Sequence, residues 1–208
     1  MTTIYLIRHS KTLKVNNTYN VDNLQIQNEK LCLSIDGEQF ANEKMSNDIF
    51  DNIEILYASN YVRTIQTAKY LAERKDLYIN VVSDLGERKM GISSWDELPK
   101  NFVRKQFLDE NLKIGEGESQ KEVRDRMNSA IFKIINDNKN KTIAVISHGT
   151  AISFFLKNWC DIELVNDKLR YCFKGKVLFD GSFNYCETFK LEFDDDNNLI
   201  NIENMKLD

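Results

Sequence analysis

Apolar positions along this chain follow two rhythms. Four short apolar runs each lead into a polar residue capable of chemistry: Ile4 to Ile7 into Arg8 and His9, Ile53 to Ala58 into Arg63, Ile79 to Leu85 into Glu87, and Ile143 to Ile146 into His148. Between them lie stretches with helical periodicity, Ser34 to Phe50 with Ser34 as N-cap, Tyr61 to Arg74, and Ser119 to Asn136. Strands alternating with helices predict an α/β fold of three layers, a mostly parallel central sheet with helices on both faces. In such a sheet the loops at the carboxyl ends of the strands form the binding crevice, so the four polar sites converge on one edge. Two strands run straight into helix starts, at Ser59 and Asn60 and at Gly149 before a helix through Trp159. Free amides there favour an anion such as phosphate.

The C-terminal part alternates from Glu187 to Phe193, turns at Asp194 to Asn198, and is apolar again from Leu199 to Met205. This predicts a hairpin closing one sheet edge. The stretch from Trp95 to Gly117 carries weaker signals. It reads as one helix plus a loop with Gly115, Gly117 and Glu118, placed to cover the pocket.

Composition narrows the class. With 208 residues, 42% hydrophobic and 29% charged, the chain reads as one globular domain over residues 1–208. No apolar run reaches bilayer length and Arg8 interrupts the first one, so no membrane contact and a cytoplasmic location are expected. Cys32, Cys160, Cys172 and Cys186 are scattered, without a CxxC pair or nearby histidines, and read as small buried thiols. A net charge of -4 disfavours nucleic acid, whose backbone needs clustered lysine and arginine. A small phosphorylated partner would need a local cationic pocket instead.

The chain has only two histidines, and each immediately follows a strand: His9 in Ile-Arg-His-Ser-Lys-Thr and His148 in Ile-Ser-His-Gly-Thr. A neutral imidazole can attack phosphorus once fixed donors neutralise the dianion and bind its equatorial oxygens. Arg8 and Arg63 offer forked donors, His148 a further one, and the amides around Gly149 add dipoles. Departure of the leaving group needs a proton, and Glu87 is the acid at a strand end. Burial would keep that carboxylic acid protonated.

In order, Arg8-His9-Ser10-Lys11-Thr12, Arg63 with Gln66-Thr67-Ala68, Leu85-Gly86-Glu87-Arg88, Gly117-Glu118-Ser119 and Ser147-His148-Gly149 resemble the motifs of the histidine phosphatase superfamily, the phosphoglycerate-mutase-like proteins. The resemblance runs from Ile4 to about Phe193. It implies a phosphoglycerate-mutase-like fold, His9 as the phosphohistidine, Arg8, Arg63 and His148 around the phosphoryl group, and Glu87 as proton donor. Two positions depart from the pattern. Ser10 stands where the family usually has glycine, and Val15 stands where a pocket asparagine is usual, with Asn16 next. Ser10, Thr12, Asn16 and Gly149 complete the expected substrate-binding set.

Other features have plainer readings. Ser119 with Glu122 is a capping box for the long helix. Trp95, Phe102, Phe107 and Phe179 could touch substrate, but aromatics in amphipathic segments are usually core. The run from Asp194 to Asp196 is a solvated turn, and neither a metal nor an organic cofactor is expected. There is no HExxH cluster, no GxxxxGK[ST] loop and no GxSxG elbow. The expected activity is hydrolysis of a small phosphomonoester. Two alternatives are a phosphoglycerate mutase-type transfer and a catalytically silent phospholigand-binding module. A mutase of this kind needs extra cations over the pocket, whereas Arg88-Lys89-Met90-Gly91 is followed by Ser93-Ser94-Trp95-Asp96-Glu97, with no arginine pair before Arg104. An acidic pair facing the pocket would repel a phosphorylated intermediate. Oligomeric state stays open, a homodimer included.

Overall fold

The computed structural model describes residues 1–15, 23–165 and 168–207, the side chain of Val103 excepted. The central sheet has the order β3-β2-β4-β1-β8-β9. Its strands are β1 (Thr2–Arg8), β2 (Ile55–Ala58), β3 (Ile79–Val81), β4 (Thr142–Ser147), β8 (Thr188–Phe193) and β9 (Leu199–Met205). The first four pair in parallel, and the predicted C-terminal hairpin adds the antiparallel edge. The sheet is therefore mostly parallel, as the alternation of elements predicts.

Alternation along the strands assigns the two faces. Ile4, Leu6, Ile143 and Val145 point to a core shared with helices α5 (Gln120–Asp137) and α6 (Gly149–Leu156). Tyr5, Ile7, Ala144 and Ile146 point the other way, toward Met45 of α2 (Ile35–Met45) and Ala68 and Leu71 of α3 (Val62–Lys75). On α5 the buried positions Val123, Met127, Ile131 and Ile134 recur at helical spacing. Its N-terminus carries the expected capping box between Ser119 and Glu122.

Several boundaries differ from the sequence reading. The helix beginning after Ser34 stops at Met45, because Asn47 caps a separate 3-10 turn over Asp48–Phe50 by accepting from the Ile49 amide. The third apolar run is strand only to Val81, then a 3-10 turn over Ser83–Leu85. The helix after Gly149 ends at Leu156, short of Trp159. A short helix α1 (Leu24–Lys30), capped by the Asn23 side chain, is absent from the sequence reading. The region from Trp95 to Gly117 does hold one helix, α4 (Phe102–Leu108). The largest omission is a second, antiparallel sheet of β5 (Asp161–Val165), β6 (Lys168–Phe173) and β7 (Lys176–Gly181). Tyr171 and Phe179 dock it onto the core, Tyr171 meeting both Phe179 and Phe183 edge-on.

The register of the parallel strands positions the chemistry. Arg8 pairs with Ser147 across β1 and β4, so the next residues, His9 and His148, emerge side by side with ring centroids 5.2 Å apart. Ala58 pairs with Ile146, which brings Ser59 beside Ser147 and His148. Ser147 Oγ then donates to the Leu85 carbonyl at 2.7 Å, tying the Glu87 loop to the same edge.

Candidate active site

His9 is buried at the end of β1. Its Nδ1 lies 2.7 Å from the Ser10 carbonyl, which can only accept, so Nδ1 carries the proton and Nε2 keeps its lone pair. Arg63 Nε donates to that lone pair at 3.1 Å. Burial, reinforced by the Arg63 charge, pushes the His9 pKa well below 6.5, so the ring is neutral.

His148 is also fully buried, and burial followed by the Arg63 charge again lowers its pKa well below 6.5. Its Nδ1 accepts from Arg63 Nη2 at 3.1 Å and its Nε2 sits 2.8 Å from Ser59 Oγ. The Thr64 hydroxyl donates to the Tyr61 carbonyl at 2.7 Å, leaving its oxygen to accept from Ser59 at 2.8 Å. Ser59 therefore receives the Nε2 proton, and the tautomer of His148 is fixed. Arg63 bridges the two imidazoles while its Nη1 donates to the Asn28 carbonyl at 2.5 Å and its guanidinium lies 4.6 Å from the Tyr61 ring centre.

Arg8 approaches from the other side. Nη1 donates to the Phe183 carbonyl at 2.5 Å and the guanidinium stacks 4.8 Å from the centre of the Tyr185 ring. Arg8 Nε is buried without a partner, the only such side-chain atom among the described residues. A buried orphan donor on a cation points to an anion as its missing partner. Gly149 adjoins it: a Cβ there would stand 3.4 Å from that Nε, so glycine lets the start of α6 approach Arg8.

Glu87 stands at the same edge, less buried than the sequence reading expects. The side chain is only half-buried, and its carboxylate accepts from the backbone amides of Arg88 at 2.9 Å, Ala151 at 3.1 Å and Thr150 at 3.4 Å. The expected burial of this carboxyl is thus only partial, and donors at the N-terminus of α6 hold it in place. The carbonyls of Asp84, Gly86 and Glu87 are gripped by Arg126, which is itself held in a fork by Glu118. Glu118, read from sequence only as part of a loop, thus fixes the loop that carries the acid.

The smaller predicted contributors differ in position. Ser10 is buried with its hydroxyl donated to the Gly37 carbonyl at 2.7 Å, so it offers its backbone, not its side chain, to the site. Thr12 is half-exposed and forms an isolated bridge with Leu33. Asn16 lies outside the described residues. Ser59, Tyr61 and Tyr185 were not found from sequence. Only Ser59 had a signal, a hydroxyl one residue past a strand end. Among the described residues no group of three or more His, Cys, Asp or Glu is arranged to hold a metal ion, and no helix is long and apolar enough to cross a membrane. Cys160 and Cys186 are buried, while Cys32 and Cys172 are only partly so.

Two cavities flank the cluster. The larger, about 720 Å³, lies between α1 and the loop after Glu87, with Asn28, Lys89, Trp95 and Glu116 in its wall. The smaller, about 360 Å³, contains Arg8, Glu87, Gly149 and Thr150. Arg8 and Glu87 both line the smaller one, while His9, Arg63 and His148 are among the lining residues of neither. The expected covering role of residues 95–117 holds for both: Trp95, 54% exposed and not core, lines the larger, and Phe107 lines the smaller. Phe102 and Phe179 are core.

No curated protein matches the chain by sequence. Among solved structures it is similar to a phosphoserine phosphatase variant from Entamoeba histolytica in complex with phosphoserine, with a TM-score of 0.67 at 20% identity over 98% of this chain and 97% of that one. It is similar to a mycobacterial glucosyl-3-phosphoglycerate phosphatase, with a TM-score of 0.69 at 15% identity over 97% and 96%. A third, YhfR of Bacillus stearothermophilus, gives 0.68 at 19% over 96% and 95%. At these identities the likeness establishes the fold. The sequence profile of the histidine phosphatase superfamily (branch 1) matches residues 4–173, most of the chain, and the protein belongs to that superfamily.

Proposed function

We propose that the protein is a phosphomonoester hydrolase that acts on a small phosphorylated metabolite through a phosphohistidine at His9. The observation that carries this reading is the state of His9: a buried neutral imidazole whose Nδ1 proton is held by the Ser10 carbonyl, leaving the Nε2 lone pair among Arg63, His148 and Arg8.

In the first half-reaction the phosphoryl oxygens take the orphan Arg8 Nε, the Arg63 guanidinium and amides at the start of α6 as partners. Arg63 Nε leaves His9 Nε2 and turns to an oxygen, freeing the lone pair to attack phosphorus. The bond from phosphorus to the ester oxygen breaks, and the alcohol departs with a proton from Glu87. The Nδ1 contact with Ser10 then supports the positive charge of the phosphorylated ring. In the second half-reaction Glu87 takes a proton from water as its oxygen attacks phosphorus, releasing phosphate and neutral His9.

Water is the better acceptor because a mutase must grip a bisphosphorylated intermediate. The loop after Glu87 instead buries Arg88 against Glu118, Gln106 and Leu112 and leaves Asp96 and Glu97 exposed. The test is phosphate release from a panel of phosphomonoesters by purified protein after exhaustive chelation, with His9→Ala as the blank. Sustained release by the wild type alone supports the reading, and a strict need for a divalent ion contradicts it.

A further inference from the structure

The cavity that meets the acid also constrains the alcohol. A departing oxygen must reach Glu87 while the phosphoryl group stays on Arg8 and the start of α6, and these groups share the smaller cavity. The larger cavity, with Lys89 and Glu116, contains none of them. The alcohol therefore extends along the smaller cavity, away from His9.

Beyond the cradle, that cavity is walled by Phe107 of α4, Phe154 of α6, Leu164 of β5, Leu169 of β6 and Phe183. Arg8 and Glu87 are its only charged lining residues among those described, and both are committed to the phosphoryl group and the leaving oxygen. Two of its four uncharged polar side chains are occupied as well, the other two being Thr150 and Ser182. Ser153 shares a 2.5 Å hydrogen bond with the buried Tyr171 hydroxyl, and the Gln106 carboxamide oxygen accepts from Arg88. Lys157, 6.0 Å from the Phe107 ring centre, donates to Gln120 and is not in the wall. Among the described residues no cation other than Arg8 lines it to meet a carboxylate or a second phosphate, and a charge set against these apolar side chains would go unpaired.

We infer that the leaving group is an uncharged, mainly apolar alcohol, aromatic or branched, and that phosphomonoesters carrying a carboxylate or second phosphate on that alcohol are poor substrates. This rests on the hydrolase reading above. The second sheet, β5 to β7, thereby acquires a role in specificity. The volume of about 360 Å³ falls within the range of small-molecule pockets.

The experiment compares kcat/KM for benzyl phosphate, glycerol 1-phosphate, O-phosphoserine and 3-phosphoglycerate, all esters of alkyl alcohols, using the full chain with His9→Ala as blank. Benzyl phosphate should lead the two carboxylates by about ten- to a hundredfold, the scale of apolar pocket discrimination. Leu169→Lys should narrow that lead by supplying a cation. Phe107→Ala, a milder change, should raise KM for benzyl phosphate more than for glycerol 1-phosphate. Equal or faster turnover of 3-phosphoglycerate or O-phosphoserine by the wild type overturns the inference and leaves the hydrolase reading intact. Hydrolysis of none of the four overturns both.

Discussion

The phosphoryl cradle and the structure covering it are built differently. The cradle is buried and over-determined: Arg63 alone joins His9, His148 and the Asn28 carbonyl, and His148 is locked by Ser59 and Thr64. His9 and His148 come from strand ends whose register is set by the sheet, and Arg63 comes from the first turn of α3. The cover consists of α1, α4, the loop from Arg88 to Glu118 and the small β5 to β7 sheet, with Trp95 and Leu108 largely exposed. The contrast teaches where function is fixed and where it varies. On the proposed reading, chemistry that must not move sits at the sheet edge and the first turn of α3, while selection of the alcohol is left to short elements resting on that edge.

The sharpest break of this contrast is Arg63→Lys. An ammonium keeps the charge but cannot bridge two imidazoles and a carbonyl in one plane, so kcat should fall by about a hundred- to a thousandfold with little loss of fold. A loss below about tenfold, measured at saturating substrate, would show that the cradle is a charge and not a framework.

Glu87 stands where cradle and cover meet. Glu87→Gln removes the proton but can keep the oxygen that accepts from the Ala151 amide, so an alkyl phosphate should lose about a hundredfold and an aryl phosphate far less. Equal losses would mean that Glu87 only positions its loop.

The smallest expected effect is on stability. The folded pKa of each histidine is depressed below 6.5, so as pH falls through about 6.5 the unfolded chain takes up protons that the folded chain refuses. Stability is thus lost on the acid side, with a slope of about 1.4 kcal/mol per pH unit for each histidine until its folded value is passed. Denaturant titrations between pH 7 and pH 5 should show His9→Ala with a shallower slope than wild type. Parallel slopes would mean that His9 is protonated when folded.

The same division explains what the sequence disclosed. Short apolar runs leading into Arg8, His9, Arg63, Glu87 and His148 made the parallel sheet and the cluster legible, because burial on both faces forces continuous apolar runs and strand ends carry the polar exceptions. The β5 to β7 sheet stayed hidden because only one of its faces packs on the core, and residues such as Lys168, Arg170, Lys174 and Lys176 break up its apolar signal. The surroundings of the Glu87 carboxyl were unreadable for a different reason: they include the amides of Thr150 and Ala151, more than sixty residues away. Ser10 was misjudged because its hydroxyl finds the Gly37 carbonyl, a contact that only the packing of α2 reveals.

The central claim is that His9 Nε2 becomes covalently phosphorylated. Rapid acid-free quenching of the enzyme with a ³²P-labelled phosphomonoester, followed by peptide mapping, tests it directly. The account predicts label on His9 that is acid-labile and alkali-stable, formed and discharged at least as fast as turnover, and absent from His9→Ala. Full turnover without label on His9, or with label on another residue, would contradict it.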